Sequence, residues 1–167
     1  YDGDLDYERN YLSRYVRSAG AICVAAFDGG EMVGASTGMP LADEHAPIKA
    51  PFAAAGYDLG PIYYCAESVL LPAYRGQGIY RHFFEGRESR ARALGGFDKM
   101  AFCGVIRPPD HPLRPAGARP LDDVWRRFGY APRAGLICHF SWKDIERDEA
   151  TEKPLQFWLK PLAPAGT

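Results

Sequence analysis

Glu67-Ser68-Val69-Leu70-Leu71-Pro72-Ala73-Tyr74-Arg75-Gly76-Gln77-Gly78-Ile79-Tyr80-Arg81 joins a strand-like run to a helix-like run through a turn with two glycines. Upstream, Ile62 to Leu71 is strand-like and closed by Pro72. Downstream, Gln77 to Leu94 carries Ile79, Phe83, Gly86 and Ala93 on one helical stripe, interrupted by Arg90, and ends at Gly95 and Gly96. Such a turn suits an anion. A helix N-terminus presents unpaired amides and the positive end of its dipole, and glycines let backbone approach a pyrophosphate. A dinucleotide fingerprint needs Gly where Arg81 stands, and no Gly-Lys-Ser/Thr exists for a P-loop. The two glycines alone fit both phosphate binding and a packing-only role.

The flanking elements set this turn in a mixed α and β chain. Tyr7, Tyr11, Leu12, Tyr15 and Val16 recur at helical spacing before Ala19 and Gly20, predicting an amphipathic opening helix. Ala21 to Phe27 and Glu31 to Met39 flank Asp28-Gly29-Gly30 and predict a hairpin. Pro40 to Gly60 reads as loop with a short helix around Phe52 to Ala55. Met100 to Ile106 carries no charge and predicts a central strand covered on both faces. Arg107 to Pro120 holds Pro108, Pro109, Pro112, Pro115 and Pro120 and predicts a stiff irregular loop, a kind of segment that is usually functional. A helix at Leu121 to Phe128 and strands at Ala134 to Trp142 and Leu155 to Leu159 complete the chain.

Composition bounds the function. The 167 residues are 47% apolar, enough to build one core without a metal or disulfide staple, and a single domain spanning 1–167 is expected. Twenty basic residues oppose 21 acidic ones, so the basic footprint of a nucleic-acid binder is missing. Cys23, Cys65, Cys103 and Cys138 stand far apart among apolar neighbours and read as buried thiols of a reducing cytoplasm. No run approaches the roughly 20 apolar residues of a membrane span. The histidines His45, His82, His111 and His139 have no metal-ligand spacing, so no metal is expected.

Arg75-Gly76-Gln77-Gly78-Ile79 resembles the central motif of the GNAT superfamily of acetyl-CoA-dependent N-acetyltransferases: Arg or Gln, two residues, Gly, one residue, then Gly or Ala. Pro72, three residues before Arg75, and Trp125-Arg126-Arg127-Phe128-Gly129-Tyr130, similar to the later aromatic-x-x-apolar-Gly-aromatic signature, extend the resemblance over nearly the whole chain. It implies a mixed, mostly antiparallel sheet with a central splayed strand pair and flanking helices. The superfamily usually begins with a further strand, expected to precede Tyr1, which is not a Met. The resemblance also implies that Ser68, Val69 and Leu70 pair with the pantetheine arm of acetyl-CoA, and that Arg75, Gly76, Gln77, Gly78, Ile79, Tyr80 and Arg81 hold its pyrophosphate. Tyr80 departs from the pattern, and its ring must turn away from the phosphates.

Direct attack of an amine on the thioester needs a base for the amine and a proton for the departing thiolate. Glu67 is the only acid between Ile62 and Leu71, and some members carry a catalytic Glu on this strand, so Glu67 is the candidate base; a structural carboxylate is its alternative. Many members use a Tyr as acid where Trp125 stands, and an indole cannot replace it. Tyr130, Tyr64 or water is left for that role. Cys103, on the central strand, faces either the acetyl group or the core. Asp110, His111 and Arg114 lie in the loop that could border the acceptor, and Arg107, Arg114 and Arg119 there suit an amine bearing an acidic group. The expected reaction is acetyl transfer to a primary amine of a small molecule or protein, with no nucleic-acid or membrane partner and a homodimer allowed. A non-catalytic acyl-CoA-binding regulatory module is the alternative.

Overall fold

The computed structural model describes residues 4–108, 110, 111, 114, 117–144 and 148–163. Pro109, Pro112 and Pro115 of the predicted stiff loop, the expected upstream strand, and the start at Tyr1 lie outside the described residues.

Helix α1 (Leu5–Arg17) is capped by Asp4, whose carboxylate accepts from the Tyr7 amide at 2.7 Å, with acids in its first turn and Arg14 and Arg17 in its last. The inward face differs from the predicted apolar one. Tyr11, Arg14 and Tyr15 turn inward, whereas Tyr7, Leu12 and Val16 stay exposed. Phenol hydrogen bonds to two carboxylates outweigh apolar burial in orienting this helix.

Strands β1 (Ile22–Asp28) and β2 (Glu31–Pro40) form the predicted hairpin, with Gly29 and Gly30 at positive φ. After a 3-10 turn at Leu41–Asp43 comes α2 (Ala46–Ala54), longer and earlier than the helix expected near Phe52. Its two prolines conceal it in the sequence. Pro47 occupies the first turn, where no amide is needed, and burial of Ile48 and Phe52 one turn apart holds the helix despite Pro51.

Strand β3 (Ile62–Leu70) leads through a 3-10 turn at Pro72–Tyr74 into α3 (Ile79–Leu94), which crosses over to β4 (Lys99–Val105). The α3 stripe also needs correction: Phe83, Phe84, Arg87, Glu88 and Ala91 face the sheet, and Ala93 is exposed. Apolar spacing misplaced it because two of the five inward positions are charged. Helix α4 (Asp122–Arg127), β5 (Ala131–Lys143) and β6 (Ala150–Pro161) follow, both strands longer than predicted.

The strands form one sheet in the order β1-β2-β3-β4-β6-β5, antiparallel except for the central β3–β4 pair. Adjacent residues divide the core between its faces. Tyr64 and Ala101 pack with Leu41, Ile48, Phe52 and Phe157, while Tyr63, Met100 and Phe102 pack with Phe84, Tyr130 and Trp158 under α3. Each fully buried side chain contributes roughly 1.5–3 kcal/mol of transfer free energy. Cys65 and Cys138 are buried as expected and Cys103 partly so, but Cys23 is exposed on the edge strand. Among the described residues no helix is long and apolar enough to cross a membrane.

Two irregularities position the site. β3 pairs with β4 only through Ile62, Tyr63 and Tyr64, after which the two strands part and continue with β2 and β6. Opposite β2, the register steps from Ser36↔Ser68 to Gly38↔Cys65, so β3 carries one extra residue at Ala66–Glu67. Such a bulge re-aims side chains.

Candidate active site

The β3–α3 turn is made of backbone. Gly76 and Gly78 hold φ +78 and +86, and among the described residues a Cβ at either would meet no heavy atom within 4 Å, so the turn is open to a ligand. Among the described residues the amides of Gly76, Gln77, Gly78, Ile79 and Tyr80 find no backbone acceptor. They stand at the positive end of a 16-residue helix. The neighbouring side chains brace the turn: Arg75 Nε donates to the Leu70 carbonyl at 3.2 Å, and Gln77 Nε2 to that of Ala73 at 3.0 Å. Arg81 pairs with Glu85 at 3.1 Å on the exposed helix face. These features suit an anionic group of a ligand.

Tyr80 lies with its ring against the core. Its ring packs against Phe84 and Phe128, and its hydroxyl accepts from the Trp125 indole at 3.0 Å. The two departures from the motif pattern therefore contact each other. Trp125 in turn covers Gly104 of β4, where a Cβ would lie 2.7 Å from the indole.

Beyond Tyr64 the facing edges of β3 and β4 have no strand partner among the described residues, which gives an extended ligand arm backbone groups to pair with. Ser68, Val69 and Leu70 lie on this edge. Arg87, only 1% exposed, supports it from below: its Nη1 donates to Ser68 Oγ at 3.0 Å and to the carbonyls of Thr37 and Glu67 at 3.4 Å.

The bulge aims Glu67 to the opposite face, toward α1. Tyr11 donates to Glu67 Oε1, the Tyr11 and Tyr15 hydroxyls lie 3.1 Å apart, and Tyr15 donates to Glu44 Oε1, each contact being 3.1 Å. Glu44 Oε2 faces His45 Nδ1 at 2.8 Å and Arg14 Nη1 at 3.8 Å. The two carboxyls are pushed in opposite directions. Desolvation by the surrounding protein raises Glu67, assisted by the charges of Glu8 and Glu44, although the hydrogen bond from Tyr11 pulls it down and part of its side chain is exposed. Burial also works to raise Glu44, but the His45 ring and amide, with Arg14, hold it below the ordinary value.

The remaining candidates lie elsewhere. His111 and Arg114 border a cleft of about 980 Å³ at the end of β4 with Arg107, Arg119, Asp144 and Gln156; among the described residues neither Glu67 nor its tyrosine partners border it. Arg114 donates to the Ala118 carbonyl at 2.8 Å, and Asp110 is exposed. Tyr64 and Tyr130 are buried, their hydroxyls beside Cys103 and Cys65. His82 pairs with Glu85 on α3, and His139 is exposed on β5. Among the described residues no group of three or more His, Cys, Asp or Glu could hold a metal ion.

Tyr11, Tyr15, Glu44 and Arg87 are absent from the sequence reading of the site. Tyr11 and Tyr15 were visible only as members of an apolar stripe, and Arg87 carried no signal among the α3 charges.

No family model and no curated protein matches the sequence. Solved structures do match. An aminoglycoside 6'-N-acetyltransferase complexed with coenzyme A aligns over 97% of this chain and 83% of its own at 14% identity, with a TM-score of 0.59. An acetyltransferase of the GNAT family from Staphylococcus aureus Mu50 aligns over 97% and 82% at 11% identity, with a TM-score of 0.58. A Bacillus subtilis acetyltransferase in complex with CoA aligns over 95% and 86% at 12% identity, with a TM-score of 0.57. The chain has the fold of these proteins.

Proposed function

We propose that this chain, built on the fold of the GNAT acetyltransferases, moves an acetyl group from acetyl-CoA to a primary amine. The observation that carries the reading is the junction where β3 leaves β4 and enters the glycine turn, because it joins an unpaired strand edge to an anion-binding helix start. Ser68, Val69 and Leu70 would bind the pantetheine arm, and Arg75 to Arg81 the pyrophosphate, mainly through amides. Binding of coenzyme A by two proteins of the same fold supports this assignment.

Glu67 is the base in this reading. Its raised carboxyl matches the task better than an ordinary surface glutamate would, since a stronger base takes an ammonium proton with less penalty. The ammonium gives one proton to Glu67, the freed lone pair forms the C–N bond, the C–S bond breaks with its electron pair left on sulfur, and the second proton shed by the nitrogen passes through water to the thiolate. The acceptor is a small-molecule or protein amine, and His111, Arg114 and Asp110 are its candidate recognition residues, with an acidic group on the amine suited to the arginines of that loop.

Free CoA is measured as acetyl-CoA is incubated with matched amines, with and without a carboxylate. Amine-dependent CoA release is expected. Binding of acetyl-CoA without release under any amine would instead identify a non-catalytic acyl-CoA-binding module.

A further inference from the structure

Three oxygen-to-oxygen contacts link Glu67 to Tyr11, Tyr11 to Tyr15 and Tyr15 to Glu44, each at 3.1 Å. A hydrogen bond needs one proton, and each phenol has one to give. With both carboxylates ionised, two protons serve three contacts. If Tyr11 donates to Glu67 and Tyr15 to Glu44, the two phenol oxygens face each other with no proton between them. One added proton repairs the chain: Glu67 then donates to Tyr11, Tyr11 to Tyr15, and Tyr15 to Glu44.

We propose that Tyr11, Tyr15 and Glu44 are positioning residues that drive proton capture by Glu67, because this four-residue chain lacks one proton until Glu67 takes it from the acceptor amine. The inference rests on the reading of Glu67 as the base and adds the device that supports it. The proton moves from the amine nitrogen to Glu67; no other bond changes in this step.

The chain's two ends are built differently, which fixes where the proton resides. Glu44 is 2% exposed and held ionised by the His45 ring and amide on Oε2, with Arg14 beyond. Glu67 receives one side-chain donor, Tyr11, among the described residues. Facing it are Glu8, Tyr11 and Tyr15 from α1, Glu44 from the turn before α2, and Cys103 from β4. From β2, Thr37 Oγ1 accepts the Glu67 amide and its hydroxyl reaches the Tyr15 phenol, which leaves the Tyr11–Tyr15 contact itself without a proton, and from α3 the Arg87 guanidinium reaches the Glu67 carbonyl and not its carboxyl. The side chain thus has acids and phenols as neighbours, and the raised Glu67 carboxyl agrees with the proton count.

The two tyrosines have opposite effects in this scheme. Tyr15→Phe removes both the proton-deficient contact and the link to Glu44, so Tyr11 can serve an ionised Glu67 without conflict and the carboxyl titrates lower. Tyr11→Phe strips Glu67 of its side-chain donor and leaves it beside the charges of Glu8 and Glu44, so the carboxyl titrates no lower than in the parent. The test is a carbon-13 NMR titration of glutamate carboxyls in the full chain without cofactor, for the parent, Tyr15→Phe and Tyr11→Phe. The dispersion of the backbone amide spectrum reports that each variant is folded. A parent Glu67 titrating above the ordinary glutamate value of about 4.3, a downward shift in Tyr15→Phe and none in Tyr11→Phe are expected. A parent Glu67 at the ordinary value, an unmoved Tyr15→Phe, or equal downward shifts in both variants would overturn the proposal. Turnover is read separately. In Tyr15→Phe the acid limb of kcat/KM should move with the NMR titration and kcat fall about tenfold, with the KM for acetyl-CoA unchanged. The expected titrations in a chain that transfers no acetyl group would leave the proton chain standing and refute the acetyltransferase reading.

Discussion

The glycine turn and the carboxylate–tyrosine chain lie on either side of the same strand and are built in contrary ways. The turn from Arg75 to Tyr80 is contiguous, exposed and made of amides, whereas the chain gathers Tyr11, Tyr15, Glu44 and Glu67 from three separate elements and consists wholly of side chains. A backbone-made site tolerates changes of side chain and resists changes of conformation. A side-chain-made site does the reverse.

The largest expected effect follows from backbone conformation. Gly78→Glu forces a Cβ and a negative charge onto a left-handed residue at the helix start, and should abolish acetyl-CoA binding in calorimetry. Gly78→Ala, which adds strain of roughly 1–2 kcal/mol without charge, should weaken binding less. On the other side of the strand, Glu67→Gln keeps shape and loses the proton acceptor. Turnover should fall by about 10² or more while acetyl-CoA affinity holds, as steady-state kinetics and calorimetry can show together.

That contrast also explains what the sequence revealed. The turn could be read because its requirements are local: two glycines at fixed spacing, a strand before them and a helix after. Glu67 stood out as a lone acid in an apolar strand. Its partners did not, because Tyr11 and Tyr15 share the spacing of a packing stripe, and no sequence rule places Glu44 beside residues of α1. The splay between β3 and β4 came from family resemblance, since strand pairing that stops after three residues leaves no mark in composition. Arg87 was hidden for a related reason: a charge facing the core under a strand looks in sequence like a charge on a helix surface.

The two carboxylates should differ in their effect on stability. Glu44, held below its unfolded value, contributes stability that is present above about pH 4.3 and lost as pH falls through its folded value. Glu67 has the opposite sign: raised in the fold, it costs stability as pH rises through its unfolded and then its folded value. Glu44→Gln should therefore destabilise the protein at pH 7 by about 1–3 kcal/mol and much less in acid, whereas Glu67→Gln should be neutral or stabilising at pH 7. Urea unfolding of both variants across pH checks the signs, and equal losses at pH 7 would refute them.

The smallest effect belongs to a side chain within the backbone-made turn. Tyr80→Phe leaves the Trp125 indole without its acceptor and should cost about 1 kcal/mol in thermal or urea unfolding. Acetyl-CoA affinity should stay within about twofold, because the phenol points into the core.

The most direct test of the cofactor site is an amide nitrogen–proton NMR titration of the chain with acetyl-CoA. The amides of Gly76, Gly78, Ile79 and Tyr80 should shift together with those of Ser68, Val69 and Leu70, and in the same spectra Tyr11 and Tyr15 should move less. Saturable binding that shifts the β4-end cleft around Arg107 and His111 and leaves Gly76 and Gly78 in place, or no binding at all, would contradict the assignment of the site.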